Sequence, residues 1–241
     1  MSQLPPTQTL LAPGQNLLID ADDTLWQNNI YFEQAIAAFI GYLNHDTYTA
    51  DEVRQTLNAV EHESIGKLGY GVHSFTHSLL RCFERLSPMP LTADVQREIV
   101  DFAVVIRQQD VVLLDHVSRV LPQLAARHRL ILVTKGDSAE QADKLTRSGL
   151  APLFSAVEIV PEKDAATYAN LIHRYRLDPA RSWMIGNSPR SDINPALAVG
   201  LNAVFLFHAD TWMLEHAQLD PPQTGRTLIE LDAFSSLENY F

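Results

Sequence analysis

One stretch decides how this chain is organised: Leu17-Leu18-Ile19-Asp20-Ala21-Asp22-Asp23-Thr24-Leu25-Trp26. A short apolar run ends there at three carboxylates within four positions. A run of this kind, preceded by Pro13-Gly14 and followed by polar residues, predicts a buried strand. In an open parallel sheet, ligands bind at the carboxyl ends of the strands. We therefore expect Asp20 to lie at the edge of a sheet, where chemistry can take place.

Asp20 and Asp22 are two positions apart, so their side chains point the same way while the chain stays extended. Two like charges this close are stabilised by a cation, by a shared proton, or by separate roles as nucleophile and acid. An aspartate-rich turn is the alternative, because Asp is favoured in turns for its own hydrogen bonds. The pair alone does not decide between these interpretations, and Asp23 is expected to be a turn residue.

Beyond residue 117 the sequence alternates between extended and helical patterns. The predicted strands are residues 130–133, 156–160, 183–185 and 202–207, and the predicted helices are residues 117–128, 138–148, 164–176 and 192–199. This alternation indicates a doubly wound, three-layer parallel sheet, that is, a Rossmann-like α/β core with right-handed crossovers. The tail after His208 is left open, with residues 227–231 as an edge strand or a short helix.

Residues 28–112 differ, because helical periodicity fills almost the whole segment. A capping box at residues 49–52 starts one of its helices, and a glycine-rich stretch at residues 66–71 predicts a loop. We therefore predict a catalytic core of residues 1–27 and 113–241, and an inserted α-helical domain of residues 28–112.

The composition narrows the range of functions. The 241 residues are 46% apolar, as in a globular protein with a sizeable core, and the formal net charge is -11. That charge argues against a nucleic-acid polymer or an anionic membrane as a partner. The single cysteine, Cys82, has apolar neighbours and is expected to be a buried thiol. No run approaches the ~18 apolar residues that a membrane span needs, and a cytoplasmic protein is expected.

Three later strand ends carry polar groups. Thr134 and Lys135 follow the second predicted strand together with a glycine, a combination that suits an anion. Lys163 stands just before a helix start after the third strand. The fourth strand runs into Asn187 and Asp192, whose oxygens suit a hard cation such as Mg²⁺. Each of these features alone is also typical of an ordinary turn or a solvated lysine.

Taken in order, these segments resemble the four motifs of the haloacid dehalogenase-like superfamily, most of whose members are Mg²⁺-dependent phosphatases. Residues 20–24 match its DxDxT signature, Thr134 its hydroxyl residue, Lys163 its phosphate-binding lysine, and residues 186–192 its GDxxxxD element. The resemblance covers roughly residues 17–207. It also implies that the helical insertion is a cap that closes over the site.

The resemblance implies a phosphatase mechanism and a role for each matching residue. Asp20 is implied to be the nucleophile that takes the phosphoryl group, and Asp22 the acid and base. Thr134 and Lys163, with the neighbouring Lys135, are expected to hold the phosphate of a small phosphorylated substrate.

Mg²⁺ is the implied cofactor, held by Asp20, the main-chain carbonyl of Asp22, Asn187 and Asp192. Asn187 is a departure from the family pattern, because members commonly carry Asp at this position. A neutral amide oxygen binds Mg²⁺ less strongly than a carboxylate, so Asp192 is expected to carry more of the charge compensation.

Other functions stay open. One alternative is a sugar-phosphate mutase of the same superfamily, which also transfers a phosphoryl group. Another is a domain that binds phosphorylated ligands without turnover, which would explain why Asn187 replaces the usual Asp. A haloacid dehalogenase is disfavoured, because its pattern lacks the second acid that Asp22 supplies. A transition-metal site at His73 and His77 is disfavoured for want of a third ligand. The sequence determines neither the leaving group nor the oligomeric state.

Overall fold

The computed structural model describes residues 10–43 and 47–241, so residues 1–9 of the predicted core and 44–46 of the predicted insertion lie outside the described residues. The chain forms two compact units. The sheet unit comprises residues up to 27, 111–135 and 143–241, and the helical unit comprises residues 28–110 and 136–142. The sequence pattern did not anticipate the grouping of residues 136–142 with the helices. The role of residues 28–112 as a cap stays a prediction.

The described residues form six strands and eight α-helices, together with shorter helical turns. In chain order they are β1 (Asn16–Ile19), α1 (Asn29–Leu43), α2 (Ala50–Leu68), α3 (Val72–Leu86), α4 (Ala93–Gln108), α5 (Val117–Arg127), β2 (Arg129–Lys135), α6 (Ser138–Ser148), β3 (Ala156–Val160), α7 (Ala165–Tyr175), β4 (Ser182–Gly186), α8 (Asn194–Ala198), β5 (Asn202–Leu206) and β6 (Leu228–Leu231).

The strands of the sheet unit form one parallel sheet in the order β3-β2-β1-β4-β5-β6. Ile19 of the central strand β1 lies opposite Leu132 of β2 and Ile185 of β4. The strand order reverses between β1 and β4, which is the switch point where ligands bind in open α/β sheets. The predicted Rossmann-like fold is confirmed.

Both faces of β1 are covered by helices. Leu17 and Ile19 pack into one core cluster with Leu121 of α5, whereas Leu18 packs with Tyr168 of α7 on the opposite face. Successive side chains of a strand point to opposite faces, so a strand buried on both sides needs an unbroken apolar run. This explains why the stretch before Asp20 has no polar residue at alternate positions.

Three local expectations are resolved by the structure. Residues 228–231 form the edge strand β6, which pairs in parallel with β5. The helix predicted at residues 192–199 is instead a π-helical turn, Pro189–Ile193, followed by the short helix α8. The prediction of a loop at residues 66–71 is wrong for its first three residues, because α2 continues to Leu68. The helix is capped at Gly69, whose N–H donates to the carbonyl of Ile65 at 2.9 Å.

The helical unit has its own apolar core between α1, α2, α3 and α4, centred on Phe39, Leu57, Leu79 and Ile99. Cys82 is fully buried in this core, as predicted, and burial raises the pKa of its thiol to about 12. None of the helices in the described part of the chain combines the length and apolar character needed to cross a bilayer.

Candidate active site

The site is built at the carboxyl end of β1. The N–H of Asp20 donates to the carbonyl of Ile185 on β4 at 2.9 Å, which extends the strand pairing by one residue. The chain then turns, and the carbonyl of Ala21 accepts from the N–H of Thr24 at 3.2 Å. Asp23 adopts a left-handed conformation with φ 58°, which Asp tolerates better than most residues. The turn brings Thr24 back to Asp20.

Four polar side chains gather around the Asp20 carboxylate. The hydroxyl of Thr24 lies 2.8 Å from Asp20 Oδ2 and 3.2 Å from Asn187 Oδ1. The ammonium of Lys163 bonds Asp20 Oδ1 and also Asp192 Oδ1, the latter at 2.7 Å. Asp20, Lys163 and Asp192 are only 6%, 4% and 1% exposed. Side chains from three strand ends therefore form one buried hydrogen-bonded cluster.

This cluster holds opposing charges in a nearly dry environment. Burial alone lowers the pKa of the Lys163 ammonium, but the Asp192 and Asp20 carboxylates outweigh burial and raise it. Burial and the neighbouring Asp20 carboxylate raise the pKa of Asp192 to about 7, while Lys163 opposes that rise. The three residues comprise two carboxylates and a single ammonium.

Hydrogen bonds within the loop after β4 hold Asp192 in place. Asp192 Oδ2 accepts the N–H of Ser188 at 3.0 Å, and the Ser188 hydroxyl accepts the N–H of Ser191 at 2.9 Å. The buried hydroxyl of Tyr168 on α7 donates to the carbonyl of Ser191 at 3.0 Å. Residues Pro189–Ile193 form the π-helical turn, and such turns occur frequently at functional sites.

Asn187 is fixed through its amide. Its Nδ2 donates to the hydroxyl of Thr211 at 3.0 Å, and that hydroxyl lies 3.0 Å from the carbonyl of His208, to which it donates. The amide oxygen is thereby turned toward Thr24. The segment after β5, which the sequence pattern left unassigned, thus orients a residue of the site.

The same segment supplies Glu215, a buried carboxylate beside the cluster. Glu215 accepts from the ammonium of Lys135 at 2.6 Å and from the hydroxyl of Ser188. Burial alone raises the pKa of Glu215, but Lys135 and the hydrogen bonds from Ser188 and Ser191 hold it below the usual value. The Lys135 ammonium also bonds the Ser191 hydroxyl at 2.7 Å and lies 3.4 Å from Glu162. These contacts join the end of β2 to the loop after β4.

Asp22 has a separate set of partners. Its Oδ1 accepts from the indole N–H of Trp26 at 2.7 Å, and the ammonium of Lys144 on α6 lies 2.5 Å from Oδ1 and 2.7 Å from Oδ2. Its side chain is 22% exposed. Asp22 is therefore more accessible than Asp20, although only two residues separate them.

Thr134 lies on β2, the strand next to β1, and is almost fully buried. It stands two residues beyond Leu132, the β-partner of Ile19. Its place at the carboxyl end of β2 puts it on the same edge of the sheet as Asp20, because neighbouring parallel strands end at the same edge.

The structure thus brings together Asp20, Lys163, Asn187 and Asp192, and it places Lys135 in the adjoining Glu215 network. Their roles stay predictions. Sequence reasoning missed the contacts of four residues: Thr24, Lys144, Thr211 and Glu215. For Thr24, the sequence signal was its place in the DxDxT pattern. For Thr211 and Glu215, the signal was their position after a strand end. Lys144 lies inside a helix, and no local pattern marked it.

Asp20, Asn187 and Asp192 supply the oxygen atoms that could hold Mg²⁺. Among residues 10–43 and 47–241, no three His, Cys, Asp or Glu side chains are grouped as a metal site. Asp20 and Asp192 nevertheless converge on Lys163, and the Asn187 oxygen faces the same threonine as Asp20. Oxygen ligands with an excess of negative charge suit a hard divalent cation. The donor set fits Mg²⁺ in type, with two carboxylates and an amide.

These features define a Rossmann-like α/β protein with a buried carboxylate–lysine cluster at the switch point of its sheet. Residues 15–200 match the model of the haloacid dehalogenase-like hydrolases. The chain belongs to this family of hydrolases. None of the curated proteins compared with it matches.

Solved structures agree with this assignment. A haloacid dehalogenase-like family hydrolase from Xanthomonas campestris is 30% identical, with a TM-score of 0.75 and 93% of each chain covered. YfnB from Bacillus subtilis, a candidate HAD hydrolase with bound magnesium, is 18% identical, with a TM-score of 0.63, over 93% of this chain and 97% of that one. L-2-haloacid dehalogenase from Xanthobacter autotrophicus is 14% identical, with a TM-score of 0.64, and the match covers 93% of this chain and 96% of that chain. The last two show likeness of fold alone.

Proposed function

We propose that this hydrolase is a Mg²⁺-dependent phosphomonoesterase that acts on a small phosphorylated metabolite through an aspartyl-phosphate. One observation carries the proposal. A buried carboxylate, Asp20, is held by Lys163 and Thr24, and a second and more accessible carboxylate, Asp22, follows two residues later with its own partners. Two carboxylates in different environments suit the separate roles of nucleophile and acid.

In the first step an oxygen of Asp20 attacks phosphorus, and the bond from phosphorus to the leaving oxygen breaks. Asp22 gives its proton to that leaving oxygen. In the second step Asp22 takes a proton from water, whose oxygen attacks phosphorus and frees the Asp20 carboxylate. Lys163 and the hydroxyl of Thr134 would hold the transferring oxygens, since phosphoryl transfer depends mainly on positioning and charge stabilisation.

The residues that would hold Mg²⁺ are Asp20, Asn187 and Asp192, with the main-chain carbonyl of Asp22. When bound, the ion offsets the repulsion between the anionic nucleophile and the phosphate. Lys163 already spans Asp20 and Asp192, which keeps their carboxylates together before a substrate arrives.

The main competitor within the family is dehalogenation, because a haloacid dehalogenase is among the similar folds. Both reactions use an aspartate nucleophile. A halide leaves without a proton, so the first step of that reaction needs no general acid. The presence of Asp22 two residues after Asp20 therefore favours a leaving group that needs protonation.

The test is a screen of metabolite phosphates for phosphate release, with and without Mg²⁺, alongside halide release from 2-chloropropionate. We expect Mg²⁺-dependent phosphate release that Asp20→Asn abolishes, with mass spectrometry of acid-quenched wild-type enzyme locating a phosphoryl group on Asp20. Halide release without phosphate release, or full activity of Asp20→Asn, overturns the proposal. Isomerised sugar phosphate in place of free phosphate would show a mutase.

Asp23→Asn is the matched control for Asp20→Asn. It removes one carboxylate from the same turn, and Asn tolerates the left-handed conformation of residue 23. We expect this variant to retain phosphate release. Its activity then shows that the loss in Asp20→Asn comes from the nucleophile and not from the turn.

A further inference from the structure

The carboxylate of Asp22 accepts from two donors. The indole N–H of Trp26 donates to Oδ1 at 2.7 Å. The ammonium of Lys144 reaches both oxygens, at 2.5 and 2.7 Å. A contact to both oxygens fixes the plane of a carboxylate more firmly than a single hydrogen bond does.

Both donors are anchored in the core of the sheet unit. Trp26 is almost fully buried there. Lys144 precedes Leu145, which belongs to the same buried cluster as Trp26 and fixes the orientation of α6. The side chain of Lys144 is only 21% exposed. This pair therefore differs from a mobile surface ion pair, in which two long side chains lose entropy to meet.

We propose that Lys144 is a positioning residue, which orients the Asp22 side chain so that Asp22, when it carries the proton taken from water in the second step, can give it to the leaving oxygen of the next substrate. The inference rests on the proposed phosphomonoesterase function and adds a residue to it. Lys144 touches Asp22 and acts through it. General acid catalysis depends on hydrogen-bond reach between the acid and the leaving atom, so a rotated Asp22 loses its effect while Asp20 is untouched.

A positioning role predicts a particular dependence on the leaving group. An alkoxide leaves poorly without a proton, whereas a nitrophenolate leaves readily without one. Loss of Lys144 should therefore slow transfer from an alkyl phosphate far more than transfer from a nitrophenyl phosphate. The constant to compare is kcat/KM, because it covers the steps up to departure of the leaving group and excludes later hydrolysis of the aspartyl-phosphate.

The experiment compares benzyl phosphate and p-nitrophenyl phosphate as substrates of the wild type, Lys144→Met and Lys144→Arg. If the wild type hydrolyses another alkyl and aryl pair from the screen better, that pair replaces them. In Lys144→Met we expect kcat/KM for the alkyl substrate to fall about 100-fold and that for the aryl substrate to fall less than about threefold. Lys144→Arg, which keeps a cation able to reach both oxygens, should recover most of the loss.

Arg147→Met is the matched control on the same helix. Arg147 pairs with Asp143 at 3.1 Å, so the variant removes a cation of the same helix that has a different carboxylate partner. We expect it to leave the ratio of the two kcat/KM values unchanged. Melting temperatures of all variants show whether each is folded at the assay temperature.

The outcomes separate the two proposals. If kcat/KM falls equally for both substrates in Lys144→Met, Lys144 has a general structural role and the inference is overturned. If kcat/KM falls for neither substrate, the inference is overturned as well. A wild type that releases phosphate from no phosphomonoester overturns the proposed function itself, and this shows before any Lys144 variant is assayed.

Discussion

The carboxyl group of Asp192 occupies the space that a side chain on Gly186 would need. A Cβ atom built on Gly186 would lie 2.5 Å from Cγ and 2.9 Å from Cβ of Asp192. Real side chains do not approach that closely. The glycine at the end of β4 is therefore required so that Asp192 can pack against the strand and reach Lys163.

Gly186→Ala should displace Asp192 and break its contact with Lys163. We expect a loss of stability of about 1–3 kcal/mol from overpacking, and a loss of phosphate release of at least about 10-fold. Thermal unfolding and kcat/KM measure these effects. Gly66→Ala is the control, because a Cβ there meets nothing within 4 Å, and Ala in α2 should raise stability by about 0.5–1 kcal/mol. Equal changes in stability and in kcat/KM for Gly186→Ala and Gly66→Ala would refute the packing argument.

Asn187→Asp should strengthen Mg²⁺ binding. The change adds a carboxylate beside Asp20 and Asp192, and ligand charge is a main determinant of affinity for hard cations, so the dissociation constant should fall about tenfold. Calorimetry with Mg²⁺ alone measures this without any need for activity. Asn170→Asp on the exposed face of α7 makes the same charge change away from the site and should leave Mg²⁺ affinity unchanged. An unchanged or weaker affinity in Asn187→Asp would count against the proposed ligand set.

Glu215→Gln should destabilise the fold, because Lys135 and Ser188 lose a buried charged partner. Removing one member of a buried ion pair costs about 3 kcal/mol. Urea unfolding measures the loss. Glu162→Gln is the control on the same lysine: Glu162 lies 3.4 Å from Lys135 and its side chain is 48% exposed, so we expect a change within about 0.5 kcal/mol. Comparable losses in both variants would show that burial of Glu215 is not what matters.

Glu61 of α2 should make stability depend on pH. It is buried, its Oε2 has no hydrogen-bond partner, and burial raises the pKa of its carboxyl to about 7. Below pH 4.5 the residue is protonated in the folded and unfolded states alike. Between pH 4.5 and 7 the unfolded chain ionises while the folded chain keeps its proton, so stability falls as pH rises, by up to about 3 kcal/mol.

Glu61→Gln should remove that dependence. Relative to the wild type, the variant should gain up to about 3 kcal/mol between pH 4.5 and pH 8, as measured by urea unfolding at both pH values. Glu63→Gln is the control on the same helix, because Glu63 is exposed and its hydrogen bond with Arg85 lowers the pKa of its carboxyl. No such gain is expected for the control. A pH-independent difference between Glu61→Gln and the wild type would be evidence against a buried neutral carboxyl.

Much of the fold could be predicted from local patterns. Residues 156–160 were expected as a strand and form β3, and the runs around Leu132, Ile185 and Val204 also became strands. The runs around Leu132 and Ile185 are buried, and an unbroken apolar run that is buried on both faces leaves few alternatives to a parallel sheet. The local predictions failed where tertiary contacts decide the backbone. The turn Pro189–Ile193 is π-helical where an α-helix was expected, and Tyr168 on a different helix bonds it.

The sequence by itself determined the class of fold, the family and the position of Asp20, because each depends on a short run of residues at a strand end. Only the tertiary structure decided which side chains meet there. Asp22 and Lys144 are 122 positions apart, and Lys135 and Glu215 are 80 apart. No periodicity links such positions, since their contact depends on how strands and helices pack once their apolar faces are buried.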